Sequence, residues 1–242
     1  MSGTDAVDYN SELIEAARQK DVTAALVALQ CGADIDAQDH EGNTALHRAI
    51  GNSDLEMATE LLKAGATADI PNDHDFTPLI TASRRGDTDI MEKLLQYNAD
   101  PDWANDNGLT ALMGAAYWDK AEACHLLMKH TRHSVDRQAK SGMTACMHAV
   151  ISGQTNALEA LLQYEPDLIN PVDSENRNAA QLASFFDHLE ANTLIMAYNK
   201  GIEERKAAKE QKVQAEKDLI TRNHARKQRQ ANLRNYRRGL SR

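Results

Sequence analysis

The sequence predicts an all-α solenoid of helix-turn-helix-hairpin units, followed by an extended C-terminal helix. Three observations carry this prediction. A short block recurs along the chain at intervals of 33 or 34 residues. Seventeen and eighteen positions into each copy stands an apolar pair. Aromatic residues make up only 5% of the chain, while Ala and Leu are plentiful, which suits helices packed on small and branched side chains rather than a β-sandwich. A fixed period of this length marks a stacked repeat in which no unit buries its own face and neighbours build one continuous core.

The elements follow in order. Residues 1–9, within "MSGTDAVDYN", read as a flexible acidic lead; this is neither a signal peptide nor an Arg-rich transit segment. The repeats occupy residues 10–198. Their blocks begin near Ser11, Thr44, Thr77, Thr110, Thr144 and Asn178. The apolar pairs are Leu61-Leu62, Leu94-Leu95, Leu127-Met128, Leu161-Leu162 and Ile195-Met196, with a weaker Ala28-Leu29 in the first copy. Thr44, Thr77, Thr110 and Thr144 stand where a hydroxyl caps the first helix of a unit. Pro78 follows at the first helical position, where its missing N–H costs little. Two residues before each Thr lies Gly42, Asp75, Gly108 or Gly142, a place suited to positive φ. Gly32 and Gly65 are expected to end second helices as left-handed caps. Thr131 and Glu165 replace that glycine in later copies, each with one inserted residue. The first copy offers the polar outer face that a terminal unit needs: Glu12, Glu15, Arg18 and Lys20.

Period, T-x-L opening, Leu pair and the closing "CGAD", "AGAT" or "YNAD" turn recur in register. Together they resemble the ankyrin repeat, whose signature runs T-P-L-H-x-A-A, G-H, L-L, G-A-D, in about six copies. The resemblance implies a structural hydrogen bond between repeats from His47, which fills the T-x-L-H position. It also implies a concave groove lined by first helices and hairpins, with variable positions at the hairpin tips and after the A-A pair. On this chain those positions hold Phe76, Arg84, Arg85, Leu109, Tyr117, Trp118, Met143, Ile151 and Phe185. Apolar and Arg residues at positions expected to be exposed mark a contact surface for a protein partner. A cover formed by the C-terminal helix, or packing within a divergent last repeat, are the alternatives. Trp103 is a further large residue in a hairpin.

No motif for chemistry emerges. There is no nucleophile elbow, phosphate loop or zinc-binding helix, so no enzyme activity, cofactor or metal is expected. In "CHLLMKHTRH", His130 and His133 alone have helical spacing to share a face, and the set reads as solvated histidines rather than a zinc site. Cys146 stands where the repeat wants Leu and reads as core. The aspartates of "GADIDAQDHEG" do not match a calcium loop. They recur as Asp34, Asp36, Asp39, Asp69, Asp73, Asp100, Asp102 and Asp106. Stacked, they form a carboxylate ridge, either a solvated surface or a steering field for a basic partner. Cys31, Cys124 and Cys146 form no CxxC pair, and apolar runs are short. The expectation is therefore a cytoplasmic protein with no membrane span, one associated with the cytoskeleton if its tail finds tubulin.

Residues 199–242 read as a basic helical tail. From Lys200 onward the chain holds fourteen Lys/Arg against five Asp/Glu; before it, thirteen stand against thirty-one. Residues 202–236 hold no Pro or Gly and are rich in good helix formers. Leu219, Leu233 and Leu240 keep a seven-residue spacing, but Arg226 interrupts it, so a coiled coil is weakly encoded. Arg222, Arg226, Arg229 and Arg237 fall near one helical face, and Lys227, Arg234 and Arg238 near another. Such a helix suits an acidic polymer or protein surface within a large assembly, with tubulin first and ribosomal or other RNA second. The protein's own acidic ridge is the third candidate, which would make it a regulatory subunit with a self-interacting tail.

Overall fold

A computed structural model describes residues 8–131, 137–153, 155–164 and 171–239; the side chains of residues 215, 219–220 and 223–239 lie outside it. His133 and Glu165, discussed above, are also outside the described residues. The chain divides into two compact units, Met1–Ile195 and Met196–Arg242.

The helices come in pairs: α1 Tyr9–Gln19 with α2 Val22–Gln30, α3 Ala45–Gly51 with α4 Leu55–Lys63, and α5 Pro78–Arg85 with α6 Thr88–Gln96. Then follow α7 Ala111–Tyr117 with α8 Ala121–His130, α9 Ala145–Ser152 with α10 Asn156–Tyr164, and α11 Ala179–Phe185 before α12 Leu189–Gly239. First helices stack on first helices, α1 through α11, and α2, α4, α6, α8 and α10 stack alongside. No strand forms among the described residues; the hairpins carry a single isolated bridge, between Ala104 and Thr110. This is the all-α solenoid with a long C-terminal helix that the repeat pattern predicts.

Each first helix begins where its cap stands. The Thr44, Thr77, Thr110 and Thr144 hydroxyls accept from the N–H of His47, Ile80, Met113 and Met147, and Asn178 does the same for Gln181. Each of these satisfies one amide that the helix leaves without an internal partner. The first copy differs. The Asp8 carboxylate accepts from Asn10 N–H and Ser11 N–H, so α1 starts at Tyr9, inside the expected lead and ahead of Ser11.

Second helices close as the glycines suggest. Gly32 has φ +98°, and Gly32 N–H and Ala33 N–H donate back to the Leu29 and Ala28 carbonyls. Gly65 repeats the pattern at φ +100°, and Asn98 supplies the third copy at φ +65°. At Thr131, which stands in the place of Gly32 and Gly65, the chain turns extended instead.

The core lies between the two rows of helices. Leu61, Leu62, Leu94, Leu127, Met128, Leu161 and Leu162 are buried, each Leu contributing roughly 1.5–3 kcal/mol over exposure. Cys124 and Cys146 are buried here too, and burial pushes both thiols up to about 12. At the ends, cover is incomplete: Leu26 and Val27 are exposed on α2 and Met196 on α12. Among the described residues, no helix is long and apolar enough to cross a membrane.

Candidate functional site

The hairpin ahead of each first helix aims its outgoing limb along one face of that helix. Phe76, Ile80 and Arg84 are spaced four apart on the third unit, and Leu109, Met113 and Tyr117 repeat the spacing on the fourth. Four-residue spacing puts side chains on one helical face. These two rows, with Trp118 and with Gly114 and His148 on neighbouring turns, enclose an open cavity of about 260 Å³. Tyr117 is 43% exposed and Trp118 49%, so the cavity opens to solvent between large rings rather than being sealed by them. The two rings meet edge to face with centroids 5.6 Å apart.

Arg84 crosses this cavity. Its guanidinium carbon lies 4.6 Å from the Phe76 ring centroid and 5.8 Å from that of Trp118. A Cβ at Gly114 would sit 2.9 Å from Arg84 Cγ, so the missing side chain lets the Arg84 stem lie against α7. Among the described residues, Arg84 makes no hydrogen bond or ion pair. Its neighbour is different: Arg85 Nε donates to Asp87 Oδ2 at 2.9 Å, and Nη2 donates to Ser53 Oγ at 2.8 Å.

His148 closes one side of the cavity. Its ring stands edge-on to Tyr117 with centroids 6.3 Å apart. Nε2 is buried and has no partner among the described residues, and burial lowers the pKa, which keeps the ring neutral. The buried His47 imidazole is fully engaged. The Thr44 N–H donates to His47 Nδ1 at 3.3 Å, and His47 Nε2 donates to the Phe76 carbonyl of the next repeat at 3.0 Å.

Of the groove residues expected from the sequence, Phe76, Arg84, Leu109, Tyr117 and Trp118 line this one cavity. Arg85, Met143, Ile151 and Phe185 do not line it. Met143 and Ile151 are half-buried, and the Ile151 carbonyl lies 3.3 Å from His188 Nε2. Phe185 is exposed, edge-on to Phe186 and 5.3 Å from the Arg177 guanidinium. Trp103 is half-buried in its hairpin. Sequence reasoning missed Ile80, Met113, Gly114 and His148. The fourfold spacing could have found Ile80 and Met113.

The carboxylate ridge proves to be structural over much of its length. Asp36 accepts from Thr67 N–H at 2.9 Å, Asp69 from Asp100 N–H at 3.0 Å, and Asp102 from the Thr131 hydroxyl. Each of these bonds ties a loop to the next repeat. Asp34 and Asp100 accept from the N–H two residues on, and Asp39 holds Asn43 N–H and Arg48. Cys124 is buried while His125 and His130 are exposed, so these three do not converge. No metal-holding group of His, Cys, Asp or Glu exists among the described residues. On the tail, Arg222 is exposed; the side chains of Arg226, Lys227, Arg229, Arg234, Arg237 and Arg238 are outside the described residues, as are those of Leu219 and Leu233 and the whole of Leu240.

A family model described as ankyrin repeats (3 copies) matches residues 13–105, 82–170 and 112–206. No curated protein matches the chain.

Proposed function

The chain belongs to the ankyrin-repeat family, and from that premise we propose that it is an adaptor whose groove, at the third to fifth repeats, grips a protein partner. Ankyrin repeats are generally protein–protein interaction modules, and the family is typically a non-enzymatic interaction domain. The observation that carries the finer reading is the open cavity built from Phe76, Arg84, Leu109, Tyr117 and Trp118. Aromatic residues and Arg are the usual energetic anchors of interfaces, and they work best in a pocket that excludes water. Affinity purification of the full chain beside a Tyr117→Ala/Trp118→Ala variant tests it. The variant should lose a partner that the full chain retains; identical partner sets would count against the groove.

A second reading concerns the tail and rests on the charge split at Lys200. We infer that residues 199–242 dock on an acidic surface in the cytoplasm, with microtubules as first candidate and RNA as second. The Arg-rich composition supports contacts to carboxylate or phosphate. Co-sedimentation with microtubules and binding to a structured RNA, each with and without residues 221–242, separate the two. RNA affinity should fall steeply with salt and disappear with the deletion. Microtubule binding that survives the deletion would end the tubulin version. A self-interacting tail has less support, because the ridge carboxylates already serve local bonds.

A further inference from the structure

The cavity beside α7 has mostly apolar walls, and one side chain that lines it is a guanidinium without a hydrogen-bond partner among the described residues. Arg84 is the one cation that lines it among the described residues. Its guanidinium carbon lies over the Phe76 and Trp118 rings. Among the described residues its N–H donors have no hydrogen-bond partner, and such donors match a carboxylate in two-point geometry.

Volume and charge narrow the occupant. About 260 Å³ is below the range of dedicated small-molecule sites but admits one large side chain. A single guanidinium, next to an Arg85 already tied to Asp87, matches one negative charge. The chain before Lys200 holds thirty-one acidic residues against thirteen basic ones, a background that disfavours a dianion.

We propose that this cavity is the specificity pocket for an acidic-apolar segment of a partner protein: one large apolar side chain enters it, and a neighbouring carboxylate accepts from the Arg84 guanidinium. The proposal rests on the groove reading above and adds the chemistry of what the groove holds.

The test is a set of twelve-residue peptides with Leu, Phe or Ala at the centre and Asp, Asn, Lys or phosphoserine beside it. Binding is measured to the full-length protein and to Arg84→Gln and Tyr117→Ala/Trp118→Ala variants, each checked for retained helicity. The wild type should prefer Leu or Phe over Ala, and Asp over Asn by about tenfold. In Arg84→Gln the Asp-to-Asn ratio should fall to about one while the apolar preference stays. A wild type indifferent to Asp, an Arg84→Gln protein that still prefers it, a preference for phosphoserine, or no peptide binding at all would overturn the proposal. The double variant separates the two readings. If it abolishes binding while Arg84→Gln keeps the Asp preference, the acidic pocket fails and the groove stands. If it binds as the wild type does, both fail.

Discussion

At the scale of the residue, His47 and His148 show how one side chain serves opposite ends. His47 bonds at both ring nitrogens and joins two repeats. His148 leaves Nε2 without a partner at the edge of a cavity. The same substitution should therefore act in opposite directions. His47→Leu strands the Phe76 carbonyl and the Thr44 N–H and should cost about 1–3 kcal/mol. His148→Leu removes a nitrogen without a partner among the described residues and should leave stability unchanged or raise it by about 1 kcal/mol. Urea midpoints of the two variants measure this. Acidification tests the same pair. Burial lowers both pKa values, so the folded chain binds fewer protons at these rings than the unfolded chain. The stability they contribute is complete above the unfolded value, about 6.5, and is lost as pH falls through the lower folded values. The urea midpoint should drop between pH 7.5 and pH 5, and His148→Leu should make that drop shallower.

At the scale of the element, the hairpins hold the stack through one residue of positive φ and one hydrogen bond. Asp73 N–H donates to the Glu41 carbonyl, Lys140 N–H to that of Asn107, and Ser174 N–H to that of Ser141. Gly42, Gly108 and Gly142 make that approach possible: a Cβ at Gly142 would lie 2.8 Å from the Asp173 carbonyl carbon. Asp75 occupies the same place at φ +62°, and there its carboxylate, not the His74 carbonyl, receives Asp106 N–H. A side chain thus replaces a backbone acceptor at the one interface where the glycine is missing. Asn176, at φ +60°, sits in the last described hairpin, which no further repeat follows. Asp75→Ala should cost about 1–3 kcal/mol, by keeping the strained backbone and removing the acceptor. Asp75→Gly should come out near the wild type, because the His74 carbonyl can then take over. Gly142→Ala should cost more than about 1 kcal/mol. Thermal or urea unfolding of the three variants checks the order. These devices also mark how far the sequence could be read. Caps and positive-φ residues are signals carried within five residues, so Thr44 and Gly42 announced themselves. The start of α1 did not, because Asp8 lies three residues ahead of the Ser11 that aligns with Thr44 and its carboxylate takes the first amides. Likewise Phe76, Tyr117 and Trp118 were legible as exposed positions of a repeat. The roles of Gly114 and His148 were not, since each depends on a side chain supplied by the preceding unit: Arg84 for one and Tyr117 for the other.

At the scale of the molecule, burial and charge divide the chain near the same place. The buried apolar residues among those described end at Ile195. From Glu203 to Gln214 every residue is exposed, and the ion pair recorded there, Lys206 to Glu203, is a loose 3.9 Å. A helix with exposed side chains and few ion pairs draws its stability from intrinsic propensity alone, worth little without tertiary packing. The repeats, by contrast, gain theirs from nearest neighbours that all lie upstream. Deleting residues 202–242 should therefore leave the unfolding midpoint within a few degrees of the wild type, while removing thirteen of the twenty-seven Lys/Arg residues. The remaining chain should be strongly acidic and should lose any salt-sensitive binding to polyanions. The full chain, by the same reasoning, should show extra helicity in circular dichroism that melts gradually, ahead of the cooperative transition of the repeats. If the truncated protein instead unfolded at a much lower temperature, the tail would have to support the repeats directly. A coincident single melt of the full chain would say the same.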